Sequence, residues 1–269
     1  MNELRELLIL GGGYVAVIDS NDNSFIFTNV GTWGPTAYNP TNDEIYTLTG
    51  PGVEQFNAST LSLIGNESLY LPDLADIAYS PATREIYVSS FSNSWVYVID
   101  HKNKVSIIDV GYYPETMMYN PANKDLYVSD ILGGTVTVIN STDKVIATVP
   151  VGTYAYQMFF DPANNDTYVA DDGGPVAVVS SENTLVSTLI YGVYGSFVYD
   201  SKRSDVVFTT YFLSGCCHRH PKIGLIDSSN NTEIDIERVH SLGIMAYDKG
   251  PNWIYIPISK EDVVEILTG

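Results

Sequence analysis

An aromatic residue followed by Asn, Ser or Asp, and usually then by Pro, recurs along this chain. It stands at Tyr38-Asn39-Pro40, Tyr79-Ser80-Pro81, Tyr119-Asn120-Pro121, Phe160-Asp161-Pro162, Tyr199-Asp200 and Tyr247-Asp248. Successive spacings are 41, 40, 41, 39 and 48 residues. Within each period lie short alternating runs, most legible as Thr116-Met117-Met118-Tyr119, Asp125-Leu126-Tyr127-Val128-Ser129, Thr135-Val136-Thr137-Val138-Ile139 and Val145-Ile146-Ala147-Thr148-Val149. The turns between them, Asn120-Pro121-Ala122-Asn123 and Asn140-Ser141-Thr142-Asp143, carry residues that suit tight reversals. A period near 40 holding four short strands is the signature of a β-propeller blade, whose sheet buries its faces only against its neighbours.

The expected fold is therefore all-β, a single propeller domain of four-stranded antiparallel blades with helix almost absent. The 20 Tyr and the abundant Val, Ile and Thr match strand propensity. Gly12-Gly13-Tyr14-Val15-Ala16-Val17-Ile18-Asp19 aligns without gaps on Gly133-Gly134-Thr135-Val136-Thr137-Val138-Ile139-Asn140, so residues 5–30 supply strands two to four of a blade. Ile244 to Tyr247, Trp253 to Ile256 and Val263 to Leu267 supply strands one to three of another. Seven blades with incomplete first and last members follow, at about 1–30, 31–69, 70–110, 111–151, 152–190, 191–239 and 240–269. A six-bladed ring is the alternative, but it leaves the apolar strand Tyr14 to Ile18 unpaired.

With 13 basic and 32 acidic residues the formal charge is −19, which repels phosphate backbones and anionic headgroups, so nucleic acid is not an expected partner. The N-terminus, Met1 to Leu10, has acids where a signal peptide needs positive charge, and its apolar run is too short to span a bilayer. No direct membrane insertion is expected of this segment.

The phrases Tyr87-Val88-Ser89-Ser90, Tyr127-Val128-Ser129-Asp130 and Tyr168-Val169-Ala170-Asp171, with Val98-Ile99-Asp100 and Val138-Ile139-Asn140 following the first two, resemble the motif of the YVTN-repeat β-propellers. The likeness covers essentially the whole chain, apart from a fifth repeat that lacks Pro after Asp200. That family includes surface-layer and cell-surface proteins, mostly without assigned catalysis. The resemblance thus implies an extracellular or cell-surface location and a binding role, and it carries over no catalytic residue.

In a propeller, the loops entering each first strand share a face with the loops joining strands two and three. That face collects Trp33, Tyr112, Tyr113, Tyr154, Tyr156, Tyr191 and Tyr194, with Asp76, Glu115, Asp130, Asp171 and Asp172. Aromatic rings with polar tips suit a glycan, peptide or protein ligand, and they also suit packing between sheets. The 48-residue spacing arises where the loop between strands two and three is swollen by Phe212 to Pro221, which holds Cys216, Cys217, His218 and His220. With His240 these could bind zinc or copper, although the spacing matches no standard zinc motif. A vicinal Cys216-Cys217 disulfide and a pair of ordinary thiols are the other readings. Asn57, Asn66, Asn140, Asn165 and Asn230 head glycosylation acceptor sequences, in turns that favour Asn in any case.

No Ser/His/Asp set, phosphate-binding Gly-rich loop or Glu-x-x-His pattern occurs at usable spacing. The expectation is a non-catalytic binding or adhesion scaffold at a cell surface or in a surface layer, acting through the aromatic and acidic face and holding no cofactor. The alternative is a metal-dependent enzyme, lactonase-like hydrolase or oxidoreductase, working through the Cys/His loop. Ligand identity and oligomeric state are open at this point.

Overall fold

The computed structural model describes residues 5–10, 14–19, 25–29, 34–50, 52–64, 69–152, 154–171, 174–189, 193, 196–214, 218–238, 245–248, 253–258 and 263–268. Among them there is no helix, and so none long and apolar enough to cross a membrane. The strands group into sheets by consecutive antiparallel pairing. A three-stranded sheet holds β1 (Arg5–Leu10), β2 (Tyr14–Asp19) and β3 (Phe25–Asn29). Next come β4 (Thr36–Asn39), β5 (Glu44–Thr49), β6 (Gly52–Asn57) and β7 (Leu69–Tyr70), then β8 (Leu74–Ser80), β9 (Glu85–Ser90), β10 (Trp95–Ile99) and β11 (Val105–Asp109). The central repeat is β12 (Pro114–Asn120), β13 (Asp125–Asp130), β14 (Thr135–Ile139) and β15 (Val145–Pro150). It is followed by β16 (Ala155–Phe160), β17 (Thr167–Asp171), β18 (Val176–Val179) and β19 (Leu185–Leu189), and by β20 (Phe197–Asp200), β21 (Asp205–Ser214), β22 (His218–Asp227) and β23 (Thr232–Arg238). The three strands β24 (Ala246–Asp248), β25 (Trp253–Ile258) and β26 (Val263–Thr268) close the series.

The recurring anchor has a local cause. The side-chain oxygen of the Asn or Asp after the aromatic accepts the N–H two residues on, from Thr41 to Asn39 (2.9 Å), Ala122 to Asn120 (2.8 Å), Ala163 to Asp161 (2.8 Å) and Lys202 to Asp200 (2.9 Å). Each turn then ends on a residue in the left-handed region, namely Asp43, Arg84, Lys124, Asn165 and Ser204 in successive repeats. Pro fits between them because the turn needs no N–H from it.

The chain divides into two compact units, Met1–Asp130 with Thr137–Ile146, and Ile131–Val136 with Ala147–Gly269. In the first, Tyr46, Leu48 and Val53 pack against Ile77, Ile86 and Val88, while the other side of that second sheet, Tyr87, Val96 and Val98, packs against Leu126, Val128 and Ile139. In the second unit, Tyr168, Val176 and Val178 meet Val206, Phe208 and Ile226, and Val198, Val207 and Ile223 meet Met245 and Ile254. Second strands are accordingly buried on both faces, as β13 is throughout, while outer strands such as β15 and β19 are largely exposed. This is why the second strands carry the least interrupted apolar runs.

Gly224 shows how close the second packing is. A Cβ there would lie 2.2 Å from the ζ carbon of the buried Phe208 ring. Gly224→Ala is expected to destabilise the protein by about 1–3 kcal/mol through overpacking, read as a lowered urea midpoint.

Candidate functional site

First strands are fastened by hydroxyl groups that recur in phase. The N–H of Asp76 donates to Ser89 Oγ (2.9 Å), that of Thr116 to Ser129 Oγ (3.1 Å) and that of Ser196 to Thr209 Oγ1 (3.0 Å), each pair 13 residues apart. Two of these first-strand side chains also reach the next first strand. Ser196 Oγ accepts the N–H of Met245 at 2.8 Å, and Asp76 Oδ2 accepts the N–H of Met117 at 2.8 Å. Asp76 Oδ1 takes a further N–H from Ile77 (2.8 Å).

Glu115 lies beside Asp76 on β12. Its carbonyl accepts a hydrogen bond from Ser89 Oγ (2.7 Å), and the register of β12 on β13 shifts between Pro114 and Met117, so Glu115 sits in a bulge. Asp76 occupies the matching irregularity of β8, between Leu74 and Ile77. Bulges re-aim side chains, and the same shift recurs on β16 between Ala155 and Gln157, so it belongs to the repeat and what distinguishes this place is the residues that it carries. Burial pushes the Asp76 carboxyl above its ordinary range, against the pull of the Met117 and Ile77 N–H groups. Burial raises Glu115 too, and the charge of Asp76 adds to it. The result is two neighbouring carboxyl groups in which burial favours the protonated form.

The other acids expected on this face are differently employed. Asp130 is fully buried, its Oδ2 accepting from Thr137 Oγ1 (2.7 Å), and a Cβ on Gly111 would come within 2.3 Å of that oxygen. Asp171 stands at the same phase of the repeat, but the glycine against its carboxylate is Gly174, three residues further on in its own repeat. Asp172 lies outside the described residues.

Of the aromatics, Tyr113 packs its ring on Phe91, with centroids 5.3 Å apart, while Tyr112 is 61% exposed. Tyr154 and Tyr156 are exposed and stack with centroids 6.4 Å apart and planes 19° apart. Asp73, Tyr113 and Tyr154 share one phase of the repeat and all have positive φ, of 57°, 64° and 66°. Trp33, Tyr191 and Tyr194 lie outside the described residues.

The long fifth period is a strand extension where a swollen loop was expected. β21 and β22 each run ten residues, pairing from Val206 with Ile226 out to Ser214 with His218, because the β-forming run Val206 to Phe212 continues the ladder. His220 stands at the register position opposite Phe212. Cys216, Cys217 and His240 lie outside the described residues. Among the described residues no three His, Cys, Asp or Glu are grouped where they could hold a metal ion.

Asn140 and Asn230 hold their turns by accepting the Thr142 and Thr232 hydroxyls, at 2.8 and 2.6 Å, and Asn57 accepts the N–H groups of Ser59 and Thr60. Thr167, which completes the acceptor sequence of Asn165, is fully buried. Asn66 lies outside the described residues.

Ser89 and Phe91 were not singled out from the sequence. A column alignment reading Asp76, Thr116, Gln157 and Ser196 at one phase would have marked Asp76 as the charged exception.

No family model matches this chain, and no curated protein sequence matches it. Solved structures do. Hydrazine synthase of Kuenenia stuttgartiensis aligns at 16% identity over 87% of this chain and 76% of its own, with a TM-score of 0.65. The dihydro-heme d1 dehydrogenase NirN, in complex with DHE, aligns at 12% identity over 98% of this chain and 64% of its own, with a TM-score of 0.71. A presumptive 6-phosphogluconolactonase from Bacteroides fragilis aligns at 12% identity over 99% of this chain and 91% of its own, with a TM-score of 0.69. These likenesses and the sheet pattern establish a fold of the β-propeller type. They also correct the expectation of a non-catalytic adhesion scaffold. Several of the structures that share this fold over nearly the whole chain are named for enzymes, while another, from Desulfotomaculum acetoxidans, is named a functionally unknown protein, so a motif resemblance to surface proteins does not carry the adhesive role with it.

Proposed function

We propose that the protein is an enzyme, a lactonase-like hydrolase in which Asp76 and Glu115 form the proton-transfer pair. One observation carries this reading. Ser196 makes with an uncharged hydroxyl the strand-to-strand bond that Asp76 makes with a carboxylate, at the same 2.8 Å. The structural task needs no charge, and placing one there costs desolvation that Ser196 avoids. The charge of Asp76 in turn disfavours ionisation of Glu115.

In lactone hydrolysis such a pair divides the work. The ionised carboxylate takes a proton from water as it attacks the ester carbonyl, and the protonated one delivers a proton to the departing ring oxygen, opening the lactone to a hydroxy acid. With 13 basic against 32 acidic residues, a neutral lactone or ester suits this chain better than a phosphorylated one. The Tyr-Val-x-Asp phrases support placing it as a divergent YVTN-repeat propeller, with an extracellular location following from that likeness.

A panel of glucono-δ-lactone, its 6-phosphate, γ-butyrolactone and aryl esters tests the reading. Turnover of a neutral lactone is expected, reduced about 10²- to 10⁴-fold in Glu115→Gln. Rates equal to spontaneous hydrolysis across the panel would rule it out. The Cys216-Cys217-His218 run with His220 carries one second reading from the sequence, a metal-dependent oxidoreductase. Stoichiometric zinc or copper in protein purified without chelator would support it.

A further inference from the structure

We propose that Ser89 is the positioning residue that holds Asp76 and Glu115 together. The assignment rests on the reading of those two acids as the reacting pair. Ser89 is fully buried on β9, and its hydroxyl is bonded to the backbone of both acids at once. It accepts the N–H of Asp76 at 2.9 Å and donates to the carbonyl of Glu115 at 2.7 Å. A hydroxyl has one proton to give and lone pairs to accept with, so the two bonds are compatible and fix each other's direction. Both acids sit in bulges, where the strand ladder alone leaves the backbone less constrained. Asp76 Oδ2 on the Met117 N–H ties β8 to β12 one step further along. Glu115 is therefore held from both sides, through its own carbonyl and through Met117. Thr209 performs the first of the two bonds for Ser196, so a threonine fits this place in the fold.

The consequence is electrostatic. Among the described residues, the charge acting on Glu115 is that of Asp76, and Ser89 keeps the two acids' backbones side by side. Carboxyl ¹³C NMR titration of the full chain reads this directly and needs no substrate. In the wild type, Asp76 and Glu115 are expected to titrate as a coupled pair above the ordinary carboxyl range. Ser89→Ala should lower the Glu115 midpoint by roughly 0.5 or more on the pH scale as the bulges part. Ser89→Thr should restore it, and Thr209→Ala should lose similar stability while leaving Glu115 where it was. Should Ser89→Ala fail to fold, Ser89→Cys keeps the volume while weakening both bonds and is expected to move Glu115 the same way. A Glu115 midpoint unchanged in Ser89→Ala, or moved equally by Thr209→Ala, would overturn the positioning role. Independent titration of the two acids in the wild type would instead overturn the pair itself.

Discussion

Asp76→Ser is expected to abolish most of the hydrolytic activity, about 10²- to 10⁴-fold, while leaving the fold and its stability at neutral pH intact or improved. The substitution writes the Ser196 solution into the earlier repeat. A hydroxyl then accepts the Met117 N–H as Ser196 accepts that of Met245, so the connection between neighbouring first strands survives. What disappears is a buried charge. Because the folded-state pKa of Asp76 is raised, its ionised form costs stability above that pKa, and the cost fades as pH falls through it and the group takes up its proton. The variant should therefore match or exceed the wild type in urea at pH 7 and lose that advantage in acid. Any residual activity should show the limb that depends on protonated Glu115 moved to lower pH, since the charge that raised it is gone. A variant that folds, keeps full activity and keeps the wild-type pH profile would show that Asp76 is only a strand fastener.

The second large effect is expected in alkali. Tyr46, Tyr87 and Tyr168 are fully buried, with 1%, 1% and 0% of their surface exposed. Their hydroxyls donate to acceptors near the turns, Tyr46 to Glu44 Oε2 (2.8 Å), Tyr87 to Asp143 Oδ1 (2.6 Å) and Tyr168 to Asn231 Oδ1 (2.6 Å). Burial holds all three phenols well above the ordinary tyrosine range, reinforced in the first two by the carboxylate each one bonds. In the unfolded chain they ionise near pH 10. Above that pH the unfolded state sheds protons that the folded state keeps, so stability is full below about pH 10 and falls as pH rises. Each phenol contributes about 1.4 kcal/mol per pH unit, or about 4 kcal/mol for the three together. Urea midpoints followed from about pH 8 to 11.5 should stay level and then drop steeply, with these phenolates absorbing near 295 nm only on unfolding. A midpoint that stays level across the whole range would contradict the burial of these rings.

Most of the strand plan was legible because its signals are local. The aromatic-Asn-Pro phrase is a turn whose carboxamide caps its own backbone two residues on, and the runs before and after it alternate as strands do. Even the three strands of the first and of the last described sheet could be read by sliding one repeat along another. The segment from Phe212 to Pro221 misled because Cys, His and Pro there break the apolar alternation, while the backbone ladder continues to Ser214 and His218 regardless. The acids could be named but not ranked. Asp130 and Asp76 look alike in a sequence, and only the partners separate them, Thr137 and Gly111 around one and the Met117 N–H, 41 residues away, for the other. The role was misread for a different reason, since phrases that encode strands and turns say what repeats and nothing about the residues that do not.

Among the described residues every sheet is assembled from strands that follow one another directly in the chain, so none of these pairings waits for a distant segment. Loop closure within each sheet is short, which favours rapid local formation over a slow search for remote partners. A lone sheet nevertheless leaves both faces of its second strand bare, as Tyr87 and Val88 of β9 need a neighbour on either side. A chain emerging residue by residue can thus form each hairpin at once, yet holds it firmly only when the next forty residues have arrived. Synthesis from one end would then act as a timetable for folding, each repeat sheltering the one made just before it.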